Sequence, residues 1–116
     1  MNDRIVPRVS ARLQIRFGFN HQQLLTDYSV NLSAGGVFIE TAEALAVDTP
    51  LTLEFSFPDN PQPIHCRGRV AWVNRGEPLV CPNLPPGLGV QFLDLNLADL
   101  HALRSFIDKA LLRPSW

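Results

Sequence analysis

Apolar and polar residues alternate along much of the chain with a period of two, which is typical of half-buried β-strands. In the first such stretch, Val9, Leu13 and Phe17 are among the apolar odd positions, and polar residues stand between them. Glycine, proline and asparagine separate the stretches, as expected of turns. The pattern predicts six strands, which cover residues 9–17, 22–31, 37–40, 51–57, 64–72 and 88–92.

The C-terminal segment follows a different period. After Asn96, a good N-cap residue, apolar residues recur at helical spacing at positions 100, 103, 106, 107, 110 and 111, and Pro114 lies just beyond. We therefore expect an amphipathic helix over residues 96–112, packed on an antiparallel barrel or sandwich formed by residues 9–94.

Composition limits the function classes. A chain of 116 residues with 46 % hydrophobic and 18 % charged residues fits a single domain, residues 1–116, with a proper core. Its apolar runs are too short to span a bilayer. The net charge of −1 argues against binding a nucleic acid polymer, because such binders usually carry a basic excess.

The sequence offers no arrangement typical of catalysis or metal binding. His21, His65 and His101 fall in a predicted turn, strand and helix, and share no motif with a nucleophile. Cys66 and Cys81 form no CxxC pair, so we expect them to be reduced in a cytoplasmic protein. These observations favour a binding module without catalytic residues, metal or cofactor.

The positive charge is concentrated at the N-terminus, where Arg4, Arg8, Arg12 and Arg16 all lie. The planar fork of guanidinium donors suits phosphate groups and the edge of guanine. Because the strand pattern begins at Val9, residues 1–8 are predicted to form a flexible arm. Arg12 and Arg16 are expected to point outward from the first strand.

Two motifs stand in a defined order. Arg4 and Arg8 form an RxxxR segment just before the first strand, and Asn31, Ser33 and Gly36 form an NxSxxG turn. With residues 67–72 and 87–92 as later strands, the chain resembles the PilZ domain family over nearly its whole length. The resemblance implies a six-stranded split barrel with a C-terminal helix. RxxxR also fits Arg8 and Arg12, although that assignment would place the motif inside a strand.

The resemblance implies a receptor for cyclic di-GMP, the bacterial second messenger. The ligand-binding residues that it implies are Arg4, Arg8, Asn31, Ser33, Gly35 and Gly36. We expect the arm to become ordered on the ligand and the output to pass through an unidentified protein partner. Asp3 before the first motif arginine disfavours a second anionic ligand, so one ligand per site is expected. A homodimer through the helix remains open.

Two other functions are consistent with such a barrel. One is a PilZ-like adaptor that contacts proteins without nucleotide. The other is a barrel that binds single-stranded nucleic acid on aromatic side chains. The parity of Trp72 with Ile64 and Val70 favours packing in the core, with base stacking at the barrel rim as the alternative.

Overall fold

A computed structural model describes residues 7–20 and 22–112 of the chain. Within these ranges all paired strands are antiparallel, and one helix follows them. The elements are β1 (Arg8–Ser10), β2 (Gln14–Gly18), β3 (Leu25–Ser33), β4 (Gly36–Glu40), β5 (Pro50–Phe57), β6 (Asn60–Asn74), β7 (Gly87–Phe92) and α1 (Leu97–Leu111).

The sheet closes into a barrel through β3. Along one edge, β3 pairs with β2 through residues 25–28 and with β1 through residues 31–33, and along the other edge it pairs with β4. The remaining order, β2-β5-β6-β7-β4, completes the ring. Because β1 and β2 follow each other along one edge, they occupy a single strand position. The predicted six-stranded barrel with a C-terminal helix is confirmed.

The predicted strand over residues 9–17 is interrupted between Ser10 and Gln14. The Ser29 hydroxyl accepts a hydrogen bond from the backbone N–H of Leu13 at 2.8 Å and donates to the Ala11 carbonyl. Since Ser29 is fully buried, it satisfies backbone groups that the ladder leaves unpaired there. The hydrophobic period continues through the break, so alternation alone does not reveal it.

The barrel interior holds the apolar face that the alternation predicts. Ile15, Phe17, Leu32, Leu53 and Val70 are completely buried in it. Leu103 and Ile107 of α1 join the same cluster, so the helix covers part of the core. The Asn96 side chain caps α1 by accepting from the Asp99 N–H at 2.7 Å. Burial of each large side chain contributes about 1.5–3 kcal/mol.

Cys66 gives the interior a titratable group. Burial, and next the nearby carboxylates of Asp94 and Asp99, raise the pKa of Cys66 from 9.0 to about 12. The native protein keeps the thiol proton between these values, whereas the unfolded chain loses it. We therefore expect stability to fall as pH rises from 9 toward 12. Urea midpoints across this range measure the effect, and a Cys66→Val variant should show a shallower decline.

Candidate ligand-binding site

Residues from five strand positions line up on the outer surface of the barrel in two parallel rows. Opposite residues of neighbouring strands face the same side of a sheet, so each row follows from the strand register. The first row contains Arg8, Ser33, Gly36, Gln91 and Arg69. The second row contains Ser10, Asn31, Phe38, Gly89 and Trp72. The two sequence motifs thus meet on one face of the barrel.

Arg8 joins both rows. Its Nε donates to Asn31 Oδ1 at 2.5 Å, and one of its terminal nitrogens donates to Ser33 Oγ at 3.1 Å. Partial burial lowers the pKa of Arg8 below its usual value. A guanidinium nevertheless stays protonated in proteins, so the group remains a cation. Among the residues that the structure describes, no group accepts from the remaining N–H groups of Arg8.

The contacts made by Arg8 also orient its neighbours. Because a guanidinium can only donate, the Asn31 atom beside it is the amide oxygen, and the Asn31 NH₂ group is left to donate elsewhere. Ser33 Oγ accepts from Arg8 and from the Gly35 N–H, both at 3.1 Å. Its hydroxyl proton is therefore directed to a further acceptor. The cluster is rich in donors and carries one positive charge.

Arg8 differs from the other outward-facing arginines of the barrel. Within the part of the chain that the structure describes, Arg8 has no carboxylate within 4.0 Å, whereas four others do. These pairs are Arg12–Glu40, Arg16–Glu54, Arg67–Asp94 and Arg69–Asp48. Arg12 and Arg16 near the N-terminus are thus balanced locally, whereas no carboxylate of residues 7–20 or 22–112 pairs with Arg8.

The structure moves the predicted boundary of the N-terminal arm. Arg8 was expected in the arm, but it pairs with Ser33 as the first residue of β1. The motif serine and asparagine account for this, because they hold the arginine side chain against β3. Arg4 and the rest of residues 1–6 lie outside the described residues, as does His21.

Gly35 and Gly36, which the resemblance implies as ligand-binding residues, differ in their surroundings. Neither has a positive φ; Gly76 is the glycine in the described ranges that does. A Cβ on Gly36 would lie 2.3 Å from the Val90 carbonyl oxygen, so Gly36 is needed for β4 to approach β7. A Cβ on Gly35 would meet only Ser33 Oγ, at 3.8 Å. Gly36 is therefore a packing residue, and the surface at Gly35 is open.

The parity argument for Trp72 is wrong, because β6 contains a bulge. The register with β7 shifts between Val70 and Trp72, which turns the indole to the outer face. There it packs against Phe38 with ring centroids 5.3 Å apart. It also covers Gly89, where a Cβ would lie only 2.0 Å from the indole nitrogen. Phe38 is buried beneath this cover, although it lies outside the interior cluster.

Trp72, which lies over Phe38, places an aromatic surface beside the donor cluster. Phe38 is the direct partner of Asn31 across β3 and β4, and Trp72 is half-buried. Strand alternation cannot reveal a bulge, but Gly89 inside a strand was a usable signal, since such a glycine often marks close approach of another group. A flat base could lie on this surface while Arg8, Asn31 and Ser33 bond its edge.

The described residues contain no group of three or more side chains suited to hold a metal ion. Over the same ranges, no helix has the length and apolar character needed to cross a membrane. His65 and His101 are exposed on the surface.

The fold and the site define a small β-barrel module with a cationic, donor-rich patch on its outer face. The PilZ domain family model matches residues 2–109, and the chain belongs to the PilZ domain family. No curated protein matches the sequence.

Solved structures of PilZ domains share the fold. The PilZ domain of YcgR from Escherichia coli, determined with cyclic di-GMP, has a TM-score of 0.67 and 18 % identity, with 94 % of this chain and 92 % of that chain covered. The PilZ domain of CeSA from a cellulose-synthesizing bacterium has a TM-score of 0.62 and 13 % identity, with coverages of 89 % and 96 %. The Bacillus subtilis inhibitor of motility MotI/DgrA has a TM-score of 0.77 and 17 % identity. This chain is covered to 97 % in that match but spans only 53 % of MotI.

Proposed function

We propose that the protein is a receptor for cyclic di-GMP that binds the ligand on the outer face of the barrel. The observation that carries the proposal is the cluster of Arg8, Asn31 and Ser33, in which a cation that has no carboxylate partner among the described residues is joined to two further donors. Membership of the PilZ family and the fold shared with the cyclic di-GMP complex of YcgR support it.

The chemistry of the cluster suits the ligand. Cyclic di-GMP carries two phosphates, and each guanine presents acceptors at O6 and N7. Arg8 and the freed protons of Asn31 and Ser33 are all donors, which complement those acceptors and the phosphate oxygens. The Trp72 indole offers a flat apolar surface for a base beside them. We assign no catalytic step to these residues, since their role is to bind.

We further propose that Arg4 joins the site when the ligand binds. Arg4 lies four residues before Arg8, in the segment that leads directly into β1. Closure of this segment over the ligand would supply a second guanidinium. The expected result is that the backbone amides of residues 2–6 become more protected from hydrogen exchange on adding cyclic di-GMP, with no such change in an Arg8→Ala variant. Unchanged exchange at saturating ligand would contradict the proposed ordering.

Thermal unfolding tests the binding itself. A ligand that binds only the native state at a hundred times its Kd adds about 2.7 kcal/mol of stability. For a domain of this size that corresponds to an increase in Tm of about 10 °C. We expect cyclic di-GMP to produce this shift and GMP at twice the concentration to produce almost none. Equal shifts with both nucleotides would show that the site does not recognise the cyclic dinucleotide.

We propose that the bound state is read by a protein partner in the cytoplasm. Both cysteines are unpaired, as expected in a reducing compartment. Leu97 and Leu112, at the two ends of α1, are 84 % and 82 % exposed and offer apolar contacts. Retention of a partner only with cyclic di-GMP would support a receptor, whereas equal retention with and without nucleotide would favour a nucleotide-independent adaptor.

A further inference from the structure

A third row lies on the same outer face, directly beside the second. It contains Tyr28, Glu40, Gly87 and Asn74. Glu40 is two residues from Phe38 along β4, which places the two rows about 7 Å apart. A groove of about 410 Å³ runs over this row, lined among others by Arg12, Tyr28, Glu40 and Arg75. Its volume is sufficient for a nucleobase with part of its sugar.

A second groove extends this one toward the site already described. The second groove, of about 440 Å³, includes Ser10, the partner of Asn31 across β1 and β3. The two grooves share Arg12 and Glu40 in their walls. A ligand whose one end is bound by Arg8 and Asn31 can therefore extend along the surface to Glu40.

The Arg12 guanidinium lies over the Tyr28 ring, and the Glu40 carboxylate lies beside it. The central carbon of the Arg12 guanidinium lies 4.7 Å from the centre of the Tyr28 ring. A terminal nitrogen of Arg12 lies 3.6 Å from Glu40 Oε1, and the two side chains are 66 % and 48 % exposed. Such an exposed ion pair is weak, so the Glu40 carboxylate retains acceptor capacity toward the groove.

The charges of this groove favour a base over a phosphate. Arg12 and Arg75 supply positive charge, and Asp27 and Glu40 supply negative charge, so the groove has no excess to attract an anion. A base stacks well on an arginine or tyrosine plane. A carboxylate beside that plane accepts from an edge that donates. Guanine donates there from N1–H and the 2-amino group, whereas adenine has an acceptor at N1 and no 2-amino group.

We propose that Arg12, Tyr28 and Glu40 form a second base subsite, which binds the other guanine of the cyclic dinucleotide and selects guanine through Glu40. The proposal rests on the proposed function, because it takes one guanine to be bound at Arg8, Asn31 and Ser33. The two subsites would bind different edges of guanine. The donors of the first complement the O6 and N7 acceptors, and Glu40 complements N1–H and the 2-amino group.

The difference in edges defines the experiment. Calorimetric titrations compare cyclic di-GMP with cyclic di-inosine monophosphate, which lacks only the 2-amino groups, on the native protein and on Glu40→Gln. We expect the inosine ligand to bind the native protein about tenfold more weakly. Glu40→Gln should weaken the binding of cyclic di-GMP by about tenfold. It should weaken the binding of cyclic di-inosine monophosphate by clearly less, because that ligand has no 2-amino group for Glu40 to accept from. Tyr28→Ala should weaken both ligands equally, because it removes stacking alone.

A matched control is available in Glu54→Gln. Glu54 also pairs with an arginine on the barrel surface, at 3.1 Å from Arg16, but lines neither of these grooves. Its substitution should leave both affinities unchanged. If native protein binds cyclic di-GMP and Glu40→Gln binds each ligand as tightly as native protein does, the second subsite alone would be overturned. Native protein that binds neither ligand would overturn the proposed function and this inference with it.

Discussion

Replacing Arg8 with alanine is expected to lower the affinity for cyclic di-GMP by about a hundredfold, which corresponds to the loss of two charge-assisted hydrogen bonds. Arg8 carries the positive charge of the cluster, and it also orients the side chains of Asn31 and Ser33. Because the lost protein contacts are partly exposed, the free energy of unfolding should change by no more than about 1 kcal/mol. Titration calorimetry and urea unfolding measure the two effects separately.

Arg16→Ala is the matched control for this prediction. Arg16 is also an outward-facing arginine near the N-terminus, but it pairs with Glu54 on β5, away from the cluster. The Arg16→Ala variant should bind cyclic di-GMP within about twofold of the native affinity. The affinity of Arg8→Lys should lie between those of Arg8→Ala and Arg16→Ala, because lysine keeps the charge and loses the planar fork of donors. Equal losses in Arg8→Ala and Arg16→Ala would mean that general positive charge, and not the cluster, attracts the ligand.

Asn74→Leu is expected to destabilise the protein by about 3 kcal/mol or more, because several buried polar groups would lose their partner. The Asn74 side chain is completely buried at the end of β6. Its NH₂ nitrogen lies 3.0, 3.1 and 2.9 Å from the carbonyl oxygens of Cys81, Leu84 and Pro85, so its two hydrogens are shared among three acceptors. Its oxygen accepts from the Cys81 N–H at 2.7 Å. One side chain thus holds the loop between β6 and β7.

Urea unfolding measures this effect, and Asn60→Ala provides the control. Asn60 is a partly exposed asparagine of the same strand that accepts a single hydrogen bond, from the Gln62 N–H at 3.2 Å. Its replacement should cost less than about 1 kcal/mol. A similar loss in the two variants would show that the loop between β6 and β7 does not depend on the Asn74 amide. Because Pro85 and Pro86 of that loop line the grooves, Asn74→Leu should also weaken ligand binding.

Most of the fold could be predicted from the sequence because most strands have one buried and one exposed face. Side chains such as Ile15, Leu53 and Val90 alternate with polar residues, and the barrel interior contains them. The helix was equally accessible, since Asn96 and the apolar spacing after it define its start and its buried face. Strand alternation and helical spacing are local signals, which can be recognised in a short stretch of sequence.

Features that depend on contacts between distant strands could not be predicted from local sequence patterns. The break after Ser10 requires the buried hydroxyl of Ser29, eighteen positions from Ala11, and the hydrophobic period gives no sign of it. The outward position of Trp72 depends on a bulge, which reverses the parity of every later residue in β6. The motifs identified Arg8, Asn31 and Ser33, but only the strand register reveals the aromatic surface beside them.

The central claim is that the chain binds cyclic di-GMP through the cluster around Arg8, and isothermal titration of the native protein with cyclic di-GMP tests it most directly. The account predicts exothermic binding in the micromolar range or tighter, near one ligand per chain, that is weakened about a hundredfold by Arg8→Ala. Absence of binding heat at tens of micromolar ligand and at two temperatures, or equal affinity of the native protein and Arg8→Ala, would contradict it.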